Sequence, residues 1–271
     1  MSLAGRELAL STPRLRAQAR DGVGWIVFNH PERRNAMSLD MWAGLAEAAR
    51  AFECDPEVRV VVMRGAGGRA FVSGADISEF ESQRANASQK RSYDEVAANG
   101  QAGLARLTKP LLALIEGYCV GGGLALALSA DIRFATRDAR FAIPAARLGL
   151  GYDYRGLATL ARVVGPSVAK DLLFSARFVE APEALTLGLV NFVSDVERIE
   201  QEVADYAARV AQNAPLTVRA AKAAVRAFER YADAQQDDEV AAMVARCFDS
   251  EDYREGRRAF MGKRVPRFQG G

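Results

Sequence analysis

The stretch I-E-G-Y-C-V-G-G-G-L-A-L-A-L-S-A-D-I-R-F, residues 115–134, joins three kinds of sequence in one order. An apolar run from Leu111 to Ile115 enters it as a strand; Gly121, Gly122 and Gly123 follow; then Leu and Ala alternate as a helix of small residues. Glycine adopts backbone conformations closed to other residues and lets another group approach the main chain. Three in succession before a helix leave bare N–H groups at its first turn, near the positive end of the helix dipole. Such groups hold a phosphate, a carboxylate, or an oxygen that gains negative charge during a reaction. The same residues also suit a helix packed closely on a neighbour, and the glycines alone do not decide between the two.

A second stretch, F-V-S-G-A-D-I at 71–77, again leads a chain out of a strand, through Gly74, toward a helix. Two such places could each present one N–H to a single oxyanion, although periodicity does not show that they meet.

The flanking sequence alternates strand and helix. Val23 to Phe28 has the β-branched and aromatic content of a strand, and a polar turn follows at 29–35. Ser38 suits the N-cap of a helix with the stripe Met41, Leu45, Ala48 and Phe52, ending at Asp55-Pro56. The near-continuous apolar run from Val58 to Met63 reads as a strand buried on both faces. Glu79 to Lys90 is polar and reads as mobile, and a helix runs from there to about Leu107, stopped by Lys109-Pro110. Asp131 to Ala135 enters another strand, and a short segment from Phe141 to Pro144 precedes a loop, Ala145 to Arg155. Helices are expected over Gly156 to Val164, Val168 to Ser175 and Pro182 to Leu187, with a strand over Leu189 to Val193. The remainder is helical in period and split at Pro215. The pattern predicts an α/β core over 1–195 and a C-terminal helical region over 196–271.

Composition narrows the chemistry. The 271 residues are 49% hydrophobic and 26% charged, as in ordinary globular proteins, and long enough for a substantial core. A net charge of +2, from 36 basic and 34 acidic residues, argues against a nucleic-acid surface. Cys54, Cys119 and Cys247 are odd in number and far apart, so neither a disulfide framework nor a metal site is expected. His30 is the only histidine, which removes most zinc chemistry and any Ser-His-Asp triad that lacks it; beside Pro31, it is expected as a solvated turn residue. No apolar run reaches the length of a membrane span, and the first residues lack the order of a signal peptide, so a cytoplasmic protein is expected.

The two glycine stretches, together with N-H-P-E-R-R-N-A-M at 29–37, P-A-A-R-L-G-L-G at 144–151, A-L-T-L-G-L-V-N at 184–191 and R-R-A-F-M-G-K-R at 257–264, resemble the crotonase (enoyl-CoA hydratase/isomerase) superfamily over nearly the whole chain. The resemblance implies an α/β core of repeated ββα units followed by a helical trimerisation region that also covers the active site. It implies a homotrimer or a dimer of trimers, no prosthetic group, and coenzyme A as part of the substrate. The thioester carbonyl would accept hydrogen bonds from the main-chain N–H groups of Ala75 and Gly122. Arg33, Arg34, Ser73, Ala75, Asp76 and Ile77 fall where the family contacts CoA, and Phe260 and Lys263 where a C-terminal segment folds over its adenine and 3′-phosphate.

Two positions depart from the pattern. Ala125 and Ala145 stand where similar hydratases carry their two glutamates. An Ala side chain neither holds a water nor moves a proton, so two-glutamate hydration is not expected, nor isomerisation through one glutamate at the second position. Asp153 falls where relatives have a proton-transferring or nucleophilic aspartate, and it could equally cap the helix expected from Gly156. Tyr152 falls where family decarboxylases have a pocket tyrosine, Ala75 where they have a histidine. With Ala125 and Ala145, Tyr154 and Arg155 would line the acyl pocket; Asp76 and Asp131 read as backbone braces. Three functions stay open: an isomerase or lyase that moves a proton through Asp153, a decarboxylase or hydrolase using the same oxyanion hole, and a non-catalytic acyl-CoA-binding protein.

Overall fold

The computed structural model describes residues 5–76, 78, 87–152, 154–213, 215–230, 249–264 and 266. It opens with three strands, β1 (Arg6–Leu8), β2 (Leu15–Arg20) and β3 (Val23–Phe28), paired antiparallel in sequence. Asp21 and Gly22, with φ of 51° and 79°, form the two-residue turn between β2 and β3. Both central residues of such a turn need positive φ, and Asp-Gly meets that need with little strain.

From β3 onward one unit recurs: a strand, a second strand turned away from it, and a returning helix. The units are β4 (Val60–Gly65), β5 (Ala70–Val72) and α2 (Ala87–Arg106); β6 (Leu111–Ile115), β7 (Tyr118–Val120) and α3 (Gly122–Leu128); β8 (Ile132–Thr136), β9 (Arg140–Ala142) and α4 (Tyr154–Val164). The first strands lie side by side in a seven-stranded sheet and the second strands in a four-stranded one. The earliest unit, β3 and α1 (Leu39–Cys54), has only Met37 for a second strand, and Met37 bridges in parallel to Ala75. The chain closes with α5 (Pro166–Ser175), β10 (Val179–Glu180), α6 (Ala181–Thr186), β11 (Phe192–Ser194), α7 (Val196–Gln212), α8 (Pro215–Arg230) and α9 (Glu251–Met261).

Side-chain alternation explains the apolar runs of β4 and β6. Val60, Val62, Leu112 and Leu114 face α7 and pack on Ile199, Val203 and Ala207. Val61, Met63, Leu111, Ala113 and Ile115 face the other way, into a core shared with α1 and with Phe71, Cys119 and Phe141 of the small sheet. Each Val, Leu, Ile or Met among them contributes about 1.5–3 kcal/mol when fully buried.

Four expectations are corrected. β1 and β2 lie ahead of the first strand read from sequence; α2 already includes residues 87–90 of the supposed loop; α4 begins at Tyr154. His30 is not solvated but 6% exposed. Its turn folds back through Asn35, whose amide donates to Ala66 O at 3.0 Å and Ala70 O at 2.8 Å while its Oδ1 accepts the His30 N–H at 2.9 Å, so the imidazole is enclosed.

Polar contacts fasten the C-terminal part to the core. Lys222 Nζ donates to Lys109 O and Asp131 Oδ2, both at 2.6 Å, and Arg226 Nη1 donates to Ala105 O and Leu107 O, both at 2.9 Å. Lys109 is itself buried and donates to Phe52 O in the last turn of α1 and to Asp55 O just after it. Burial lowers the pKa of Lys109 against the opposing pull of Glu53, and that of Lys222 against Asp131. Among the described residues, no helix is long and apolar enough to cross a membrane.

Candidate active site

β5 and β7 are parallel neighbours, with Val72 opposite Cys119. Each runs into a glycine of positive φ, Gly74 at 115° and Gly121 at 55°. A Cβ placed on Gly121 would stand 4.0 Å from Gly74 Cα and 3.4 Å from the Tyr152 hydroxyl. The two turns and Tyr152 therefore converge, although Tyr152 lies outside both motifs. Gly123 meets a harder constraint: any Cβ there would overlap the Val72 carbonyl, so α3 can start against β5 only without a side chain. Beside it Gly122 borders open space, with nothing within 4 Å of a Cβ.

The donors follow from the hydrogen-bond pattern. Met37 N–H donates to Gly74 O at 2.8 Å, and Asp76 N–H donates to Met37 O at 2.9 Å. A residue bracketed in this way directs its own N–H and C=O to the opposite side of its strand. The Ala75 amide thus faces away from Met37, on the side of β7. In α3 the Ala125 N–H is the first to find an acceptor, Gly121 O at 3.1 Å, so the Gly122 amide precedes the helical ladder. Among the described residues, neither the Ala75 nor the Gly122 N–H has a backbone partner.

Only some of the other positions singled out in the sequence are tied to these turns. Ser73 N–H donates to Arg34 O at 3.1 Å and its hydroxyl to Arg33 O at 3.4 Å, which ties the exposed Arg33 and Arg34 to the first turn. The Arg34 guanidinium lies 5.2 Å above the Tyr118 ring. Asp76 is braced by Ser78, accepting from its N–H at 3.0 Å and its hydroxyl at 2.6 Å. Asp131 likewise accepts the Leu111 N–H at 2.7 Å. Ala125 is half-buried on α3, and Ala145 is buried in the 3-10 turn Pro144–Arg147. The Ala145 carbonyl accepts N–H groups from both Leu148 and Leu150, at 3.0 and 3.1 Å, folding the loop that leads to Tyr152. Gly256 of α9 backs that loop, since a Cβ there would overlap the Leu148 backbone. Phe260 and Lys263 are exposed at the far end of α9, and Tyr154 and Arg155 open α4. Ile77 and Asp153 lie outside the described residues.

Two contributors escaped sequence reading. Trp42 Nε1 donates to the Tyr93 hydroxyl at 3.2 Å, and that hydroxyl donates to Met37 O at 3.3 Å. Both residues are 4% exposed. An aromatic residue in the otherwise polar start of α2 was the only signal available. Cys119, deep beneath the site, is no nucleophile, because burial pushes its thiol far above the usual range.

The family profile described as enoyl-CoA hydratase/isomerase matches residues 18–271. A short-chain-enoyl-CoA hydratase of Clostridium acetobutylicum is 34% identical, across 89% of this chain and 92% of its own. The methylmalonyl-CoA decarboxylase of Escherichia coli is 30% identical, across 92% of this chain and 95% of its own. Among solved structures, a methylmalonyl-CoA decarboxylase in complex with 2-nitronate-propionyl-CoA aligns with a TM-score of 0.88 at 29% identity, covering 96% of this chain and all (100%) of that one. An enoyl-CoA hydratase/carnithine racemase from Magnetospirillum magneticum aligns at 0.80 with 36% identity, covering 97% of each. In profile, in sequence and in fold, the chain belongs to the enoyl-CoA hydratase/isomerase family of the crotonase superfamily.

Proposed function

We propose that the protein is an enzyme acting on an acyl-CoA thioester, whose carbonyl oxygen is held by the N–H groups of Ala75 and Gly122 as it becomes an enolate. The observation that carries this reading is the meeting of the β5 and β7 exits, with two backbone amides left over beside open space. Preorganised donors stabilise charge that develops at the oxygen, and each is worth about 3–4 kcal/mol in the transition state. Arg33 and Arg34, exposed and tied to Ser73 beside the first turn, would meet the phosphates of CoA. With alanine at 125 and 145, neither hydratase carboxylate is available. Asp153 then moves the proton at Cα, which makes isomerase or lyase chemistry the first reading.

The convergence of the Tyr152 hydroxyl on the two turns favours decarboxylation as a second reading. There the bond from Cα to a substrate carboxylate breaks, its electron pair enters the enolate, and carbon dioxide departs without any base. The enolate then takes a proton at Cα. An oxyanion hole and one orienting hydroxyl suffice for such a step.

Incubation with a panel of acyl-CoA esters in deuterated water, read by mass, tests both. Deuterium entering at Cα and lost in Asp153→Asn supports the first reading. Carbon dioxide released from malonyl-type esters, retained in Asp153→Asn and reduced in Tyr152→Phe, supports the second. Binding without either reaction would make the protein a passive acyl-CoA binder. Hydration of crotonyl-CoA at an ordinary enzymatic rate would sink the inference from Ala125 and Ala145.

A further inference from the structure

The donor at Ala75 sits on a segment with little shape of its own. Gly74 beside it takes a φ of 115°, and β5 has already ended at Val72. On the side away from β7, the segment is held by Met37, which takes Gly74 O with its N–H and Asp76 N–H with its carbonyl. Met37 is a single-residue remnant of a strand, so its own placement must come from elsewhere. It comes from two helices. The Met37 carbonyl also accepts the Tyr93 hydroxyl of α2, and that hydroxyl accepts Trp42 Nε1 of α1. All three residues are buried, where such relays polarise one another and are stronger than in water.

We propose that Tyr93 is a positioning residue for the oxyanion hole: its hydroxyl, oriented by Trp42, fixes the Met37 carbonyl and through it the direction of the Ala75 N–H. The proposal rests on the reading of Ala75 and Gly122 as the two donors. The competing role is purely structural, with Tyr93 serving only to satisfy the buried Trp42 nitrogen.

The two roles separate in the infrared spectrum of a bound ester. Butyryl-CoA carrying carbon-13 at the thioester carbonyl is the probe, bound to the whole protein. Two well-aimed donors lower its stretching frequency relative to the free ester. In Tyr93→Phe the ring stays and the hydroxyl goes; about half of that lowering is expected to disappear, and Cα deuterium exchange to fall about tenfold, less than the loss of a whole donor. The dissociation constant of butyryl-CoA is expected to change less than about twofold, since binding to the rest of CoA is untouched. Trp42→Phe leaves the bond from Tyr93 to Met37 and is expected to give a smaller loss in the same direction; it carries the test alone should Tyr93→Phe fail to fold. A frequency in Tyr93→Phe equal to that of the unmodified protein overturns the proposal, even if the variant melts earlier. Absence of any lowering, or of binding, in the unmodified protein instead overturns the oxyanion reading beneath it.

Discussion

Gly122 and Gly123 are adjacent and chemically identical, yet their surroundings make opposite demands. At Gly123 a methyl group would overlap the Val72 carbonyl, and a strand backbone has little room to give. Gly123→Ala is therefore expected to lower stability by about 1–3 kcal/mol, as overpacking does, and to part α3 from β5. Gly122→Ala would place its methyl in open space, so thermal melting should stay within a degree or two of the parent, consistent with a change below about 0.5 kcal/mol. Its effect should appear instead as weaker acyl-CoA binding, because that space is where the thioester would lie. Equal melting losses in the two variants would refute the distinction. The glycines could be singled out as a candidate site because three stand together directly before a helix. The contacts of Tyr93 could not be read in this way, since Trp42 and Met37 lie at positions that local pattern does not connect to it.

Among the elements, those buried on both faces could be read from their apolar runs, whereas β1 and β2 could not. β2 alternates buried Leu15 and Ala17 with exposed Arg16, Gln18 and Arg20, a pattern easily taken for a polar lead-in although Asp21-Gly22 announces the hairpin. The small sheet was hidden for another reason: its strands have only two or three residues, too few for a period to show. The anchoring of α1 was equally invisible, since it depends on Lys109 reaching the carbonyls of Phe52 and Asp55. Lys109→Met would strand both carbonyls and should cost about 1–3 kcal/mol. It should also change the response to alkali. Burial lowers the pKa of Lys109 in the fold, so just below the ordinary lysine value of 10.5 the unfolded chain keeps a proton that the fold has released. Stability from this group therefore rises with pH through that window, and below it both states are protonated and the burial cost stands in full. Denaturant midpoints measured from pH 7 to 10 should climb less steeply in Lys109→Met than in the parent; parallel slopes would dismiss the lysine as the source.

Across the whole molecule, the division expected after residue 195 groups α7 with α8, yet the two are attached to the core by different forces. α7 buries Ile199, Val203 and Ala207 in the face of the large sheet. None of the described apolar side chains on α8 is fully buried, Val225 is 59% exposed, and the helix is held by Lys222 and Arg226. That attachment has a kinetic consequence. Amides shielded by hydrophobic burial exchange with solvent only when the whole core opens, whereas a helix fastened by a few side-chain bonds is free to detach by itself and return. In native-state hydrogen exchange, α8 should accordingly exchange as a separate, less protected unit than β4 and β6. Lys222→Met should speed that exchange while leaving the two strands unchanged; equal acceleration in the strands would mean that the helix and the core open as one. Detachment of α8 would then be a sub-global opening that leaves the β5 and β7 turns in place, so the protein could loosen at its C-terminal side many times without disturbing the turns that present the Ala75 and Gly122 amides.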